Sequence, residues 1–509
     1  MNFQLSNIKI MSIYIIGIGG TGAKCIESII HLASIGAFAD EEINLLFVDA
    51  DETNGNLDRA KRSLEIYQQC HELGVTLQNS PWLKTKIKSY GLWSPFAKIS
   101  INKNLGALFQ YNNIKYDDPS LGKLFDVLYT EDERELTLDE GFRGRPAIGA
   151  AVMSQVNLEG EEPWGEIISK IKTEQGSNTK IFLCGSIFGG TGASGLPTIG
   201  RLIANKLTNE NIRNKVQLGC LFVLPYFGFT PTLAQEQAHK VYARSDEFLL
   251  NTEAALRYYA NQAKEIFDNI YLLGNEAFSN VEFSIGRNSQ RNDPHFIELY
   301  GALATRHFLY QPNSDEKGEV IVISRQTSGI IQWSDIPDLD PIKTLLIDTA
   351  RFAFIWLGEI VTELEKVRSM GVKKAKKALS WFSEFYPTKS FFGGEDVDFD
   401  GADQQDALIK ITQWCQDYLR WLHDIHQSKP ESIELFNDNY FANPENNLSS
   451  IHFPDLVRGE TREETKKKYD TVENLLNNST IFHKENLNAP NIGTIGLAKA
   501  LYRACQKQY

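Results

Sequence analysis

The sequence predicts an α/β protein built on a doubly wound parallel sheet. Short runs of branched apolar residues, typical of strands buried on both faces, alternate with helical patterns through the first half of the chain. Two glycine-rich turns each follow such a strand and open a helix. Beyond residue 350 the pattern changes to amphipathic helices, so we expect a mostly helical C-terminal region.

The alternation begins with an apolar strand at 12–17, whose glycine turn leads into a helix over 23–33. The pattern predicts further strands at 43–48, 180–184, 216–224 and about 268–273. It predicts further helices at about 196–207, about 233–263, 351–385 and 407–426. Residues 55–135 are less regular and rich in aromatic side chains, and we expect helices and loops there.

Composition narrows the class of protein. The 509 residues suggest two to four folding units, and the 65 acidic against 52 basic side chains make nucleic-acid binding unlikely as a function. The six scattered cysteines contain no CxxC pair, which favours buried free thiols in a reducing compartment. No uncharged apolar run reaches the ~18–20 residues of a membrane helix, so we expect a cytoplasmic protein without a membrane span.

The two glycine turns are candidate anion sites, because glycine lets the backbone approach a ligand and a helix N-terminus presents free amides. Residues 17–22 (GIGGTG) also match the dinucleotide fingerprint, with Asp49 as the acid for the ribose. Residues 189–195 (GGTGASG) predict a cradle for several phosphate oxygens. For each turn, tight packing of a strand against a helix is the alternative explanation.

The segment 188–195 (FGGTGASG) resembles the GGGTG(S/T)G signature of the tubulin/FtsZ superfamily, with Phe188 in place of the first glycine. Other motifs resemble the family's nucleotide loops in the same order: 17–24, 48–51 (VDAD), 141–149 (GFRGRPAIG) and 223–229 (VLPYFGF). The resemblance implies a GTP-binding domain over 1–330, including a central helix at about 293–310. It implies that 331–509 is a divergent region, as in loosely related bacterial tubulin-like proteins.

The resemblance also implies GTP or GDP with Mg²⁺ as cofactors. Carried over motif by motif, the binding residues are Gly19, Gly20, Thr21, Lys24, Asp49, Asp51, Arg143, Gly144, Arg145, Gly189, Gly190, Thr191, Gly192, Ala193, Ser194, Gly195, Asn251, Phe296 and Tyr300. Arg143 and Arg145 would supply positive charge to the terminal phosphate; the alternative is that both are solvated loop residues.

The residues that the resemblance assigns to the nucleobase also have alternative explanations. Asn251 is the candidate reader of the base and Phe296 the aromatic that stacks on it. Alternatively, Asn251 is a surface residue and Phe296 a core residue. Because Tyr300 replaces the usual Asn or Asp, and Lys24 an Asn of FtsZ, the base is guanine or another purine.

Hydrolysis in the family is completed by a carboxylate loop of the next subunit. Residues 333–338 (WSDIPD) have its D-x-x-D spacing, so Asp335 and Asp338 are the candidate catalytic residues. The alternative is that these aspartates cap a helix beginning near Pro341, with Asp340 as the first candidate for the cap. The resemblance implies head-to-tail self-association into dimers or filaments and hydrolysis of GTP in trans.

Two other functions remain open. A nucleotide-binding scaffold that does not hydrolyse, and that binds a protein partner through its C-terminal region, would account for the altered catalytic loop. An NAD-binding Rossmann enzyme would use Gly17, Gly19, Gly22 and Asp49, but it leaves the second glycine turn without a role. The resemblance is compatible with a cytoskeletal, plasmid-related or defence-related role.

Overall fold

A computed structural model of the protein describes residues 12–38, 41–77, 80–98, 103–174, 178–238, 241–284, 290–312, 317–323, 329–379, 381–389, 396–444, 453–459 and 492–506. In this part of the chain seven parallel strands form one sheet. Their bounds are β1 Ser12–Ile18, β2 Glu42–Val48, β3 Lys86–Trp93, β4 Thr179–Ser186, β5 Val216–Val223, β6 Asn269–Leu273 and β7 Glu319–Ile323. The predicted α/β fold with a large parallel sheet is confirmed.

The sheet reverses its winding between β1 and β4. The order across it is β3-β2-β1-β4-β5-β6-β7, and all adjacent strands run parallel. Such a reversal leaves a crevice at the carboxyl ends of the two central strands, because their connections depart in opposite directions. Ile18 pairs with Gly185, so the turns that follow β1 and β4 begin side by side.

Helices cover both faces of the sheet. Their bounds are α1 Gly19–Ile35, α2 Gly55–Glu72, α3 Pro146–Met153, α4 Trp164–Thr173, α5 Gly190–Asn209, α6 Phe248–Ile266 and α7 Phe296–Tyr310. Shorter helices lie at Leu105–Leu108, Tyr111–Asp117, Pro119–Leu128, Glu131–Glu135 and Leu233–Ala238. Because successive strand residues point to opposite faces, Ile13 and Ile15 join one hydrophobic cluster and Tyr14 and Ile16 another.

The described part of the C-terminal region is mainly helical. Its longer helices are α8 Leu339–Ile355, α9 Val361–Met370, α10 Val372–Ala378, α11 Ala402–His426 and α12 Gly493–Gln506. Between α8 and α9 a π-helical turn spans Trp356–Ile360. Two shorter helices lie at Phe382–Phe385 and Asn439–Ala442, and the two-residue strands Ile330–Ile331 and Ser432–Ile433 pair in parallel.

These helices pack on the α1 and α2 side of the sheet. Trp82 stacks on Tyr502 of α12, with ring centroids 4.1 Å apart, and meets Trp414 of α11 edge-on at 5.8 Å. Trp421 of α11 donates a hydrogen bond to Ser28 of α1 at 3.3 Å. The C-terminal helices thus share one hydrophobic core with that side of the sheet.

A buried ionic cluster joins α1, α2 and α11. Glu27 lies 2.8 Å from Arg59 and 2.7 Å from Arg420. Burial alone would raise the pKa of Glu27, but the two guanidinium groups outweigh it and hold the pKa below its ordinary value. His31 stacks on Trp421 at 4.7 Å, and burial lowers the pKa of its imidazole to about 4.

Several boundaries differ from the predictions. α1 and α5 begin within the glycine turns, and the helix expected over 233–263 is two helices, Leu233–Ala238 and Phe248–Ile266. β3 and β7 were not predicted. All six cysteines are free and buried, as predicted. None of the helices in the described ranges has the length and apolar character needed to cross a bilayer.

Candidate functional site

A cleft of about 950 Å³, open solvent at its mouth included, lies at the carboxyl ends of the strands where the winding reverses. It contains most of the residues carried over from the motifs. Those that line it are Gly19, Gly20, Thr21, Lys24, Asp49, Asp51, Arg143, Gly144, Gly189, Gly190, Thr191 and Gly192. The structure therefore brings together loops that are separated by up to about 170 residues in the sequence.

The first glycine turn forms the N-terminus of α1. Gly19 has φ +73°, a conformation that glycine adopts without strain. Ile18 precedes it without a side-chain cap, and the first turn holds no acidic residue. The N–H groups of that turn are thus left for a ligand or water. Gly22 serves packing, because a Cβ there would lie 2.6 Å from the carbonyl oxygen of Cys184.

The second glycine turn forms the N-terminus of α5 in the same way. Gly189 precedes the helix without a side-chain cap, and its first turn also lacks an acidic residue. The two turns touch, since a Cβ on Gly19 would lie 3.3 Å from the backbone nitrogen of Gly192. Two positive helix termini therefore meet at one cleft, which is an arrangement suited to an anion with several oxygens.

The cationic side chain of Lys24, which lines the cleft, is neutralised inside the protein. Its Nζ lies 2.8 Å from the carboxylate of Glu298 in the first turn of α7, and both side chains are almost fully buried. The hydroxyl of Tyr226 donates to the same carboxylate. The attraction for an anion at this point of the cleft therefore comes mainly from backbone amides.

Asp49, directly after β2, presents a buried carboxylate to the cleft. One oxygen accepts hydrogen bonds from the Asp51 backbone at 3.2 Å and the Thr191 hydroxyl at 3.4 Å. The other, Oδ2, is buried and has no hydrogen-bond partner among the described residues. Burial raises the pKa of Asp49 to about 7.

The orphaned oxygen of Asp49 fits a bound Mg²⁺. No group of three or more His, Cys, Asp or Glu side chains suited to a metal ion occurs within the described ranges. Mg²⁺ does not need such a group, because it takes one or two carboxylates and completes its shell with water and phosphate oxygens. Asp49 and the neighbouring Asp51 are the carboxylates that line this side of the cleft.

The third motif packs over the N-terminus of α5. A Cβ on Gly190 would lie 3.0 Å from Cβ of Phe142 and 3.1 Å from the backbone nitrogen of Gly144. Arg143 forms an ion pair with Glu140 at the cleft. Arg145 is not among the lining residues, and it forms ion pairs with Glu247 at 3.2 Å and Glu133 at 3.5 Å.

Three further residues of the second motif face the interior of the sheet domain. The Ser194 hydroxyl donates back to the carbonyl oxygen of Gly190 at 2.8 Å, which leaves it inside its own helix. A Cβ on Gly195 would lie 2.7 Å from Ile18, so this glycine brings α5 close to β1. Ala193 is buried beside them. None of these three residues is among those that line the cleft.

The residues assigned to the base lie outside the cleft lining. Asn251, on α6, donates to the Phe188 carbonyl at 3.4 Å. Phe296, the first residue of α7, is 2% exposed and lies 4.4 Å from the His295 ring. Tyr300 is buried and donates to the carbonyl of Asp335 at 2.7 Å.

The two candidate catalytic aspartates make local contacts. The Asp335 carboxylate accepts from the backbone of Gln332 at 2.8 Å within a turn of 3₁₀ helix. Asp338 precedes α8 in a left-handed conformation, φ +55°, without capping it through its side chain. It forms an ion pair with Arg306 of α7.

Asp338 is remote from the cleft of its own chain. Its partner Arg306 donates to the carbonyl of Ala37 at 2.8 Å, just beyond the end of α1. α1 begins at the cleft and has 17 residues, which corresponds to about 25 Å of helix. Asp338 therefore lies toward the end of the sheet opposite the cleft.

Two groups of lining residues were not assigned individually from the sequence, although Tyr226, Phe227 and Phe229 lie in the motif 223–229 that was matched to a nucleotide loop. One is polar: Asn54, Asn56, Gln290 and Asn292 line the side near β2, and the Asn54 amide donates to Gln290 at 3.0 Å. The other is aromatic and comprises Tyr226, Phe227, Phe229, Tyr242 and Phe248. The position of these residues in the sequence indicates that they lie at the cleft, because 54–56 and 226–229 each follow a strand whose carboxyl end lies there.

No protein-family model matches the chain, and no curated protein matches it. Among solved structures, the chain is similar to CetZ from Methanosaeta thermophila strain DSM 6194. The alignment has 12% identity and a TM-score of 0.23, and it covers 52% of this chain and 46% of that chain. At this level the similarity carries no conclusion about function, which must come from the cleft itself.

Proposed function

We propose that the cleft binds a purine nucleoside di- or triphosphate, GTP or GDP in the first instance, with its phosphates on the N-termini of α1 and α5. The observation that carries the proposal is the contact between two helix termini that both lack a side-chain cap and an acidic first turn. Each such terminus is an anion site, and a pair of them suits a chain of linked phosphates.

Asp49 and Asp51 would hold a Mg²⁺ ion that accompanies the phosphates. The buried Oδ2 of Asp49, which has no hydrogen-bond partner within the described ranges, supports this assignment, since a bare carboxylate beside a polyphosphate would repel it. When bound, the ion neutralises phosphate charge. The resemblance of the loops to those of tubulin and FtsZ favours the same pairing of nucleotide and metal.

Head-to-tail association into dimers or filaments is the second part of the proposal. Asp338 lies toward the end of the sheet opposite the cleft, so a neighbouring copy stacked on the cleft would bring its Asp335 and Asp338 to the bound nucleotide. The two carboxylates would orient the attacking water. A contact of this heterologous kind propagates along one direction when it does not close into a ring.

A scaffold that binds nucleotide without hydrolysis is the second candidate. It is favoured by the local contacts of both aspartates, because Asp335 is held by its own turn and Asp338 by Arg306. Turnover requires a neighbouring molecule to release them, whereas binding does not. In such a scaffold the C-terminal helices would be the surface for a protein partner.

The decisive experiment is the identification of the nucleotide that copurifies with the protein, followed by thermal shift with GTP, GDP, ATP and NAD, each with and without Mg²⁺. A ligand at 100 times its Kd stabilises the folded state by about 2.7 kcal/mol. GTP or GDP should raise the unfolding temperature, and Mg²⁺ should enlarge the shift. Stabilisation by NAD alone would instead support the Rossmann enzyme.

A further inference from the structure

The cleft has an aromatic side that the phosphate site does not use. Phe227 and Phe229 follow β5, Tyr242 precedes α6, and all three are half-buried rings that line the cleft. This side begins where the phosphate site ends, because the ring of Phe188, just before the second glycine turn, lies 5.5 Å from that of Phe227. A ligand on the α5 terminus is therefore within reach of these rings.

Buried neighbours hold the Phe227 ring in place. It meets Phe188, Tyr226 and Phe248 edge-on, with ring centroids 5.5, 5.0 and 5.9 Å apart. These three supporting side chains are each less than 5% exposed. Phe229 packs on Phe248 at 5.7 Å in the same manner. A surface fixed in this way does not have to be ordered when the ligand arrives.

The other walls of the cleft are less suited to a flat base. On the β2 side the carboxylates of Asp49 and Asp51 face the ligand, and the nearby amides bond one another, Asn54 to Gln290 at 3.0 Å and Asn292 to Asn56 at 2.8 Å. The residues that the resemblance assigned to the base, Phe296 among them, do not line the cleft. Among the described residues, the lining rings that keep exposed surface are those of Phe227, Phe229 and Tyr242.

We infer that the nucleobase stacks on the half-buried rings of Phe227 and Phe229, with the phosphates running from there to the two helix termini. This inference rests on the proposed nucleotide function and names the residues that bind its base. Stacking on an aromatic side chain does not depend on the identity of the base, because every base has a flat face. A purine gains more than a pyrimidine because it covers more ring area.

The test compares the binding of GTP with that of inorganic tripolyphosphate, both with Mg²⁺, by titration calorimetry. Phe227→Ala and Phe229→Ala should weaken GTP binding on the order of 10- to 100-fold and leave tripolyphosphate binding within about 2-fold. Phe227→Trp should retain GTP affinity. Phe283→Ala is the matched control, because Phe283 contacts the rings of Phe229 and Tyr242 at 5.6 and 5.8 Å without lining the cleft.

The outcomes separate the two claims. Unchanged GTP affinity in both alanine variants overturns the inference, as does a parallel loss of GTP and tripolyphosphate in variants whose circular dichroism is native. In both cases the proposed function is still supported if the wild-type protein binds GTP. A wild-type protein that binds neither GTP nor tripolyphosphate overturns the proposed function, and the inference with it.

Discussion

The Asp49 carboxyl group differs from a solvent-exposed one in two ways: one oxygen is buried without a hydrogen-bond partner in the described part of the chain, and burial raises its pKa to about 7. In the folded protein the carboxyl group is protonated below that pH, and a protonated carboxyl does not bind Mg²⁺. The contribution of Mg²⁺ to nucleotide affinity should therefore grow as the pH rises through about 7. Titrations at pH 6 and pH 8, each with and without Mg²⁺, measure it.

The matched variant is Asp49→Asn, which keeps the shape of the side chain and removes its charge. We expect it to abolish the extra affinity that Mg²⁺ confers at pH 8. The pKa of Asp49 is about 7 in the folded protein and about 4 in the unfolded chain. Its carboxyl group therefore contributes stability below about pH 4, and that contribution is lost as the pH rises to about 7. The ligand-free variant should accordingly unfold at a higher temperature than wild type at pH 8. An equal Mg²⁺ effect in both proteins would contradict the metal assignment.

Residue by residue, the motifs were better at locating loops than side chains. Gly19, Asp49 and Gly190 line the cleft because the carboxyl ends of parallel strands share one edge. Phe296 and Tyr300 belong to the helix that the sequence predicts, yet their rings turn into the core. Which way a helix faces is set by tertiary packing, here by His295 and Asp335, and sequence spacing does not contain that information.

Among the elements, β3 and β7 escaped prediction for a shared physical reason. Both are edge strands of the sheet, and neither is buried along its whole length. In β3 the buried residues Ile87, Tyr90 and Trp93 are separated by exposed or partly covered ones, and β7 has no buried residue. The interior strands β1 and β4 read as continuous apolar runs because both faces are covered. Lysines at 86 and 88 interrupt the apolar pattern of β3, so its sequence resembles a loop.

The contact between α1 and α11 predicts an acid-sensitive interface. His31, buried against Trp421, has a pKa near 4 in the folded state and about 6.5 unfolded. As the pH falls from 6.5 toward 4 the unfolded chain binds the proton first, so the folded state loses stability in that window. At pH 5 the loss amounts to about 2 kcal/mol.

His31→Phe should remove this sensitivity while keeping a ring against Trp421. Urea unfolding of wild type and variant at pH 7.5 and pH 5.0 measures it, and the variant should lose about 2 kcal/mol less between the two. The half-buried His71 of α2 provides the matched control, His71→Phe, which should follow wild type. An identical pH dependence for His31→Phe would show that another group governs the acid response.

Across the whole molecule, the cleft and Asp338 occupy opposite ends of the sheet domain. Hydrolysis in trans predicts that the rate of phosphate release per subunit rises with protein concentration. Asp338→Ala should still bind GTP but lose turnover at least 10-fold, an effect in the range of general acid–base groups.

Gly190→Val should lose binding, because its side chain displaces the loop around Phe142 and Gly144.

A mixture of these two inactive variants tests the geometry directly. Each supplies what the other lacks, since the cleft of Asp338→Ala is intact and Gly190→Val retains Asp338. The mixture should hydrolyse GTP faster than either protein alone. A rate per subunit that is independent of concentration, together with an inactive mixture, would favour the scaffold that does not hydrolyse.

The burial of all six cysteines has a practical consequence for such experiments. Maleimide reagents attack thiolates that solvent can reach, and none of these sulfurs qualifies in the native fold. A single cysteine introduced at the exposed Ser334, near the end that would contact a neighbour in the proposed assembly, would accept a fluorophore with little background labelling. Energy transfer between donor- and acceptor-labelled copies would then report assembly in real time.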